Sequence, residues 1–262
     1  MTQDEIDAEV EHFKHRNYLY LDNLDKDTPI YRVLPFETLL ELLNESKLTL
    51  VKTKLWEDPY ENYLLKCNAF LSDGTPVGIE HLQEQLFGQC WTLTPESDAL
   101  WRIYSYETKG IRIKTTINKL FNVVFDKHSR SSLINSFIGK VRYASKQAIQ
   151  NHFSQPQNTT PIMSDTSAQL MIDAQLWKRA EFQHENEIRV LYYVDSRHND
   201  RLSNIKKFDI IPNDLIDEIT LDPRIAERNR HIYTETLKKL GYTGAISKSE
   251  LYKLDPVNIR LT

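Results

Sequence analysis

Apolar and polar positions alternate along this chain in short segments that change period every ten residues or so. "PIYRVL" (29–34) has the two-residue period of a strand, and the "FETLLELLNES" that follows sets Leu39, Leu40, Leu42 and Leu43 on one helical stripe. "KLTLVK" (47–52), "GQCWTLT" (88–94), "GIRIKTT" (110–116), "IGKVRYAS" (138–145) and "LIDEITLDP" (215–223) read as further strands. Helices are expected over 3–16, 79–87, 96–106 and 166–181, and over 224–242, where Gly241 offers a C-terminal cap. The Pro-, Ser- and Thr-rich stretch 153–167 reads as loop, and its part 154–165 is expected to be a mobile substrate-recognition segment. Strands and helices alternate without regular βαβ spacing, which predicts one α+β domain over 29–262 behind a peripheral N-terminal helix in 1–28.

One segment breaks the apolar logic. In "ENEIRVLYYV" a regular strand would put Glu185, Glu187 and Arg189 on one face and Ile188, Val190, Tyr192 and Val194 on the other. Two carboxylates roughly 6–7 Å apart on a strand face raise each other's pKa, and an arginine beside them offsets this. The arrangement is costly for a structural strand and sensible for a site.

Composition narrows the setting. The 262 residues are 40% hydrophobic and 27% charged, which is ordinary for a folded domain, and the net charge of −4 gives no global attraction to nucleic acid. The two cysteines, Cys67 and Cys90, form no CxxC, and the histidines show no ligand spacing, so neither a disulfide framework nor a metal site is expected. With seven glycines and no GxGxxG or GxxxxGK[ST], no Rossmann or P-loop nucleotide site is implied. The acidic N-terminus lacks the apolar stretch of a signal peptide and no run is long enough to span a membrane, which predicts a soluble, cytoplasmic protein without a membrane partner.

Three polar residues stand inside apolar strands: Arg32 in "IYRVL", Thr92 in "CWTLT", and Glu187 with Glu185 before it. Singly each has a plain explanation, as a solvated edge arginine, a good strand former and an exposed sheet face. Their chain order, arginine, hydroxyl, E-x-E, resembles the R-S-E class of the ADP-ribosyltransferase superfamily, with matching stretches Tyr31-Arg32, Cys90-Trp91-Thr92 and Glu185-Asn186-Glu187. Cys90 and Thr92 replace the two serines of S-x-S, Val33 stands where glycine follows the arginine, and Ile103 where histidine is common. Between about Ile30 and Ile225 the chain also resembles a widespread bacterial domain-of-unknown-function family. Its W-x-D-P-x-E block matches Trp56, Asp58, Pro59 and Glu61, and its W-x-x-E-x-E-x-R block runs into Arg189.

The resemblance implies a split β-sheet core with surrounding helices and an NAD-dependent ADP-ribosyltransferase without a metal. Its acceptor would be a protein or a nucleic acid. The role would be that of a toxin or anti-phage defence effector, with room for an antitoxin or inhibitor protein as partner. Cleaving nicotinamide from NAD passes through a ribosyl cation, which Glu187 would stabilise, while Glu185 would face the acceptor. Arg32 offers a donor fork for the pyrophosphate, Thr92 a hydroxyl to hold a glutamate or the ribose, and Tyr31, Trp91, Trp101 and Tyr104 offer stacking faces. Two other readings stand beside this one. The first is a hydrolase of a glycosidic or phosphodiester bond using Asp58, Glu61, Glu185 and Glu187; the second is a non-catalytic binding module of the same fold. Asp58 and Glu61 also suit a turn and helix cap, and Arg224, Arg228, Arg230, Lys238 and Lys239 suit a solvated helix face.

Overall fold

The computed structural model describes residues 2–21, 23–159, 167–195 and 202–260. Its strands are β1 (Tyr18–Leu19), β2 (Pro29–Pro35), β3 (Lys47–Lys52), β4 (Ala69–Phe70), β5 (Pro76–Val77), β6 (Leu86–Thr92) and β7 (Gly110–Thr116). They continue as β8 (Ser136–Lys140), β9 (Arg142–Ala144), β10 (Trp177–Arg179), β11 (Glu187–Tyr193), β12 (Ile205–Asp209), β13 (Glu218–Leu221) and β14 (Ala245–Lys248). The helices that frame the site are α1 (Gln3–Phe13), α2 (Phe36–Glu45), α3 (Asp98–Tyr104), α4 (Ile117–Val124), α5 (Ser132–Asn135), α6 (Lys146–Phe153) and α7 (Ser167–Ala174). Near the C-terminus α8 (Pro212–Leu215) and α9 (Glu227–Lys239) follow, the latter closed at Gly241 (φ +85°), where Tyr242 N–H donates to the Leu237 carbonyl.

Among the described residues one mixed ten-stranded sheet runs β1-β8-β11-β6-β2-β7-β13-β14, with β3 attached to β6 and β12 to β3. The fold is α+β. The sheet carries apolar side chains on both faces. Ile30, Leu34, Phe87, Trp91, Ile113, Ile188 and Val190 pack under Leu39 of α2 and Leu120 and Phe121 of α4, while Leu86, Phe137 and Leu191 pack against Leu65, Met171, Ile172 and Leu176. A strand sandwiched in this way is buried along most of its length, which is why β11 reads as a nearly continuous apolar run after Arg189.

Several expected elements differ. The strand expected over 138–145 is two strands in two sheets, β8 in the main sheet and β9 in a small parallel pair with β10. The helix expected over 166–181 ends at Ala174, because Trp177, Lys178 and Arg179 alternate and pair with β9 before a 3-10 turn, Ala180–Glu185. The expected helix over 79–87 is a 3-10 turn, Glu80–Gln85, and β6 begins at Leu86. The segment Asp58–Glu61 is a turn, with Tyr60 N–H donating to Asp58 Oδ1 at 3.0 Å, and leads to a 3-10 turn at Leu64–Lys66. Of the recognition loop expected over 154–165, residues 160–165 lie outside the described residues, and Pro156–Asn158 form a 3-10 turn.

Gly88 of β6 is a site of close approach. A Cβ there would stand 2.8 Å from Leu191 Cδ2 and 2.9 Å from Trp56 Cζ2, so the indole crosses β6 only over a glycine. Gly88→Ala is expected to destabilise the fold by about 1–3 kcal/mol, the usual cost of overpacking, read as a lower urea midpoint at unchanged slope. An unaltered midpoint would mean that Trp56 moves aside freely.

Candidate active site

The sheet splits at β6. Its edge opposite β11 pairs with β3 at Val51↔Gly88 and Lys52↔Phe87, and with β2 at the single position Tyr31↔Thr92. Between these points β2 and β3 diverge and leave a gap in the plane of the sheet. The Gln89 side chain bridges part of it, its Nε2 donating to the Thr49 carbonyl at 3.0 Å while its Oε1 accepts from Trp91 Nε1 at 2.8 Å. A cavity of about 290 Å³ occupies the gap. Because it opens through the sheet, residues of both strand faces reach it: Arg32, Gln89 and Trp91 from one, and Tyr31, Cys90, Thr92 and Glu187 from the other.

Arg32 lies beside Ile113 in the β2–β7 register, on the apolar face of its strand. Among the described residues no hydrogen bond or carboxylate engages its guanidinium. Burial holds its pKa below the ordinary value, offset in part by Cys90 and Tyr104. An arginine placed in a cavity without a counter-ion is a ready partner for an anion.

The opposite wall is a buried charge cluster. Glu187 opens β11 directly across from Thr92. Its Oε2 accepts from Arg189 Nε at 2.8 Å and its Oε1 from Lys178 Nζ at 2.5 Å. Lys178 also donates to Glu185 Oε2 and stands 3.4 Å from Glu61 Oε1, which accepts from Arg189 Nη2 at 2.5 Å. The Arg189 guanidinium lies 4.5 Å from the Trp56 ring and donates to the Gln175 carbonyl. Tyr104 OH donates to Glu185 Oε1 at 3.0 Å, and Tyr143 OH accepts from the Glu187 N–H at 2.9 Å.

Glu185 is not on the strand, as its spacing from Glu187 had predicted. Asn186 between them is left-handed (φ 45°, ψ 57°), so β11 starts at Glu187 and Glu185 closes the preceding 3-10 turn. Thr92 holds this turn: its Oγ1 donates to the Glu185 carbonyl at 2.6 Å and accepts from the Thr94 N–H at 3.0 Å. The turn brings the two carboxyl groups onto one ammonium, that of Lys178. Burial, then the neighbouring Glu187, pushes Glu185 up to about 7. Burial also opposes the charge on Glu187, but Arg189, the hydrogen bond from Glu185 and Lys178 outweigh it and hold that carboxyl well below the usual range. Of the two carboxyls, Glu185 is therefore the one that keeps its proton to higher pH. Burial keeps the Cys90 thiol neutral by raising its pKa.

The structure thus brings Tyr31, Arg32, Trp91, Thr92, Tyr104, Glu185 and Glu187 to one cavity. Trp101 is not among its lining residues; it is buried, and its Nε1 donates to Glu96. Leu100, one residue earlier on α3, faces the cavity instead. Asp58 is taken by Arg179 at 3.0 Å and Glu61 by Arg189, and neither lines the cavity. Lys178, Trp56 and Tyr143 were not among the sequence candidates. Lys178 lies in the same block as E-x-E, but its strand alternation was hidden inside an apparent helix. Among the described residues no group of His, Cys, Asp or Glu is arranged to hold a metal ion, and no helix is long and apolar enough to cross a membrane.

A family model described as "Protein of unknown function (DUF2971)" matches residues 100–190, a span that begins within α3 and includes β10 and the E-x-E turn. No curated protein matches the chain. Among solved structures, Thermus sp. 2.9 DarT in complex with NAD+ is similar at a TM-score of 0.41 and 14% identity, covering 86% of this chain and 97% of that one. The same protein in complex with ADP-ribosylated ssDNA is similar at a TM-score of 0.40 and 16% identity, covering 88% of this chain and 97% of that one.

Proposed function

We propose that this protein is an ADP-ribosyltransferase that consumes NAD. One observation carries the reading. A single cavity, mostly apolar, has an unpaired arginine on one wall and a carboxylate held ionised on the other. The Arg32 fork suits the pyrophosphate, and a gap of about 290 Å³ suits the nicotinamide end of the dinucleotide between Tyr31 and Trp91. The bond from ribose C1′ to nicotinamide breaks with its electron pair leaving on nicotinamide. Glu187 accepts a ribose hydroxyl and stabilises the cation left behind. The acceptor nucleophile then bonds to C1′ and its proton passes to Glu185 once that carboxyl is ionised.

The acceptor is a macromolecule, protein or nucleic acid. The exposed Ile103, Tyr104 and Tyr106, with Tyr104 bonded to Glu185, give it a rim to rest on. A toxin or phage-defence role in the cytoplasm, checked by an antitoxin or inhibitor protein, fits such an activity.

Three outcomes test the reading. Arg32→Ala should weaken NAD binding by about 10–100-fold, the scale of lost charged hydrogen bonds, in calorimetry with a non-hydrolysable analogue. Unchanged affinity removes Arg32 from the site. Glu187→Gln should spare that affinity and cut turnover by about 100-fold or more, as for one lost electrostatic group; full turnover in this variant would sink the catalytic assignment. Because Glu185 ionises near 7, transfer should rise about tenfold per pH unit below that value and level off above it. Glu185→Gln should flatten the profile and leave NAD hydrolysis running, and a wild-type rate that falls with pH would assign Glu185 as an acid instead.

A further inference from the structure

Lys178 occupies a position that the proposed reaction does not yet use. It is carried by β10 in the small two-stranded sheet, apart from the main sheet that carries Glu187. Its side chain is 8% exposed, and its ammonium touches Glu185 and Glu187 and stands 3.4 Å from Glu61. The Phe182 ring covers it, with the ammonium 4.7 Å from the ring centroid. A lysine serving packing alone would send its charge to solvent along its aliphatic stem. Here the charge is turned inward.

The cluster counts three carboxylates, Glu61, Glu185 and Glu187, against two cations, Lys178 and Arg189. It is neutral only when one carboxylate holds a proton. Arg189 engages Glu61 and Glu187 and leaves Glu185 alone. Lys178 is the cation that reaches both members of the E-x-E pair. Arg32 faces the pair from the opposite wall of the cavity; Tyr104 from α3, Tyr143 from β9 and Cys90 from β6, which also face it, are uncharged at neutral pH.

We propose that Lys178 is the positioning residue of the glutamate pair: Arg189 singles out Glu187 as the ionised member, and the Lys178 ammonium, in contact with both carboxyl groups, holds them together and sets the pH at which the pair takes up or releases its proton. The assignment rests on the transferase reading for its consequence in turnover, and on geometry alone for its effect on the pair. Removing the charge while keeping the stem should leave three carboxylates with one cation, so the pair must hold its proton to higher pH.

The test needs no substrate. The full chain, labelled with ¹³C at the glutamate carboxyls, is titrated by NMR as wild type, Lys178→Met, Lys178→Gln and Lys178→Arg. The upper midpoint of the coupled pair should rise by about one pH unit or more in the two neutral variants, the effect of losing one opposite charge at contact distance. Lys178→Arg should restore it. Lys178→Gln keeps a hydrogen-bond donor and carries the expectation should Lys178→Met not fold. An unmoved midpoint in either folded neutral variant overturns the proposal, as does Lys178→Arg behaving like Lys178→Met. Parallel pH profiles of ADP-ribose transfer to the acceptor should move with the NMR midpoint. A shifted midpoint in a protein that never binds or consumes NAD would sink the transferase reading and leave the role of Lys178 standing, whereas NAD turnover with an unmoved midpoint does the reverse.

Discussion

One edge of β6 serves two partners, and the site depends on that division. The strand cannot hydrogen-bond to β2 and β3 at the same residues, so β3 takes Phe87 and Gly88 and β2 takes Thr92. The connection between the two rivals is α2, whose Leu39, Leu42 and Leu43 are buried in the core. Burying that helix stripe holds β2 and β3 apart, so the gap is maintained by the same apolar packing that stabilises the fold. Gln89 meets some of the polar demand this leaves by bonding the Thr49 carbonyl. A ligand site made in this way needs no glycine-rich loop, so seven glycines are no obstacle to the proposed NAD site.

The second expense of the site is desolvated charge. Burying carboxylates and cations together seldom gains stability over an apolar replacement, although breaking such a set leaves one charge stranded. The set formed by Glu61, Lys178, Glu185, Glu187 and Arg189 is therefore poorly explained as a stabilising device. As a way to hold one carboxyl ionised beside another that is protonated it has a clear use. The aromatic covers, Trp56 over Arg189 and Phe182 over Lys178, exclude water from the cations without supplying competing acceptors.

How much of this was legible follows from the range of the interactions involved. Strands β2, β3, β7 and β13 stood out because their apolar residues gather on one face of each, and α9 because its period and Gly241 agree. Arg32, Thr92 and Glu187 were visible as polar breaks in such strands, and the structure places them on one cavity. What failed was phase within a helix: on α3, Leu100 and Tyr104 share a face by their four-residue separation, and Trp101 is turned about 100° away. Lys178 was hidden by an apparent helix. Glu61 stood out as a member of the W-x-D-P-x-E block, but nothing local named its partner Arg189, which lies 128 residues on. Local period reveals elements; it is silent about which distant charge completes a site.

Asn186 gives the E-x-E motif a meaning that letter spacing does not carry. In an unbroken strand the two glutamates would be held a fixed two-residue rise apart and would interact only through space. The left-handed residue between them ends the strand register and lets both carboxyl groups reach the Lys178 ammonium. Asparagine tolerates that conformation far better than a β-branched residue, which would favour continuing the strand. The middle letter is thus a hinge rather than a spacer, and it lets a single ammonium bridge two carboxyl groups that would otherwise only repel. Two chains with identical glutamates and different residues at this position would present the same motif to a pattern search and different acids to a substrate.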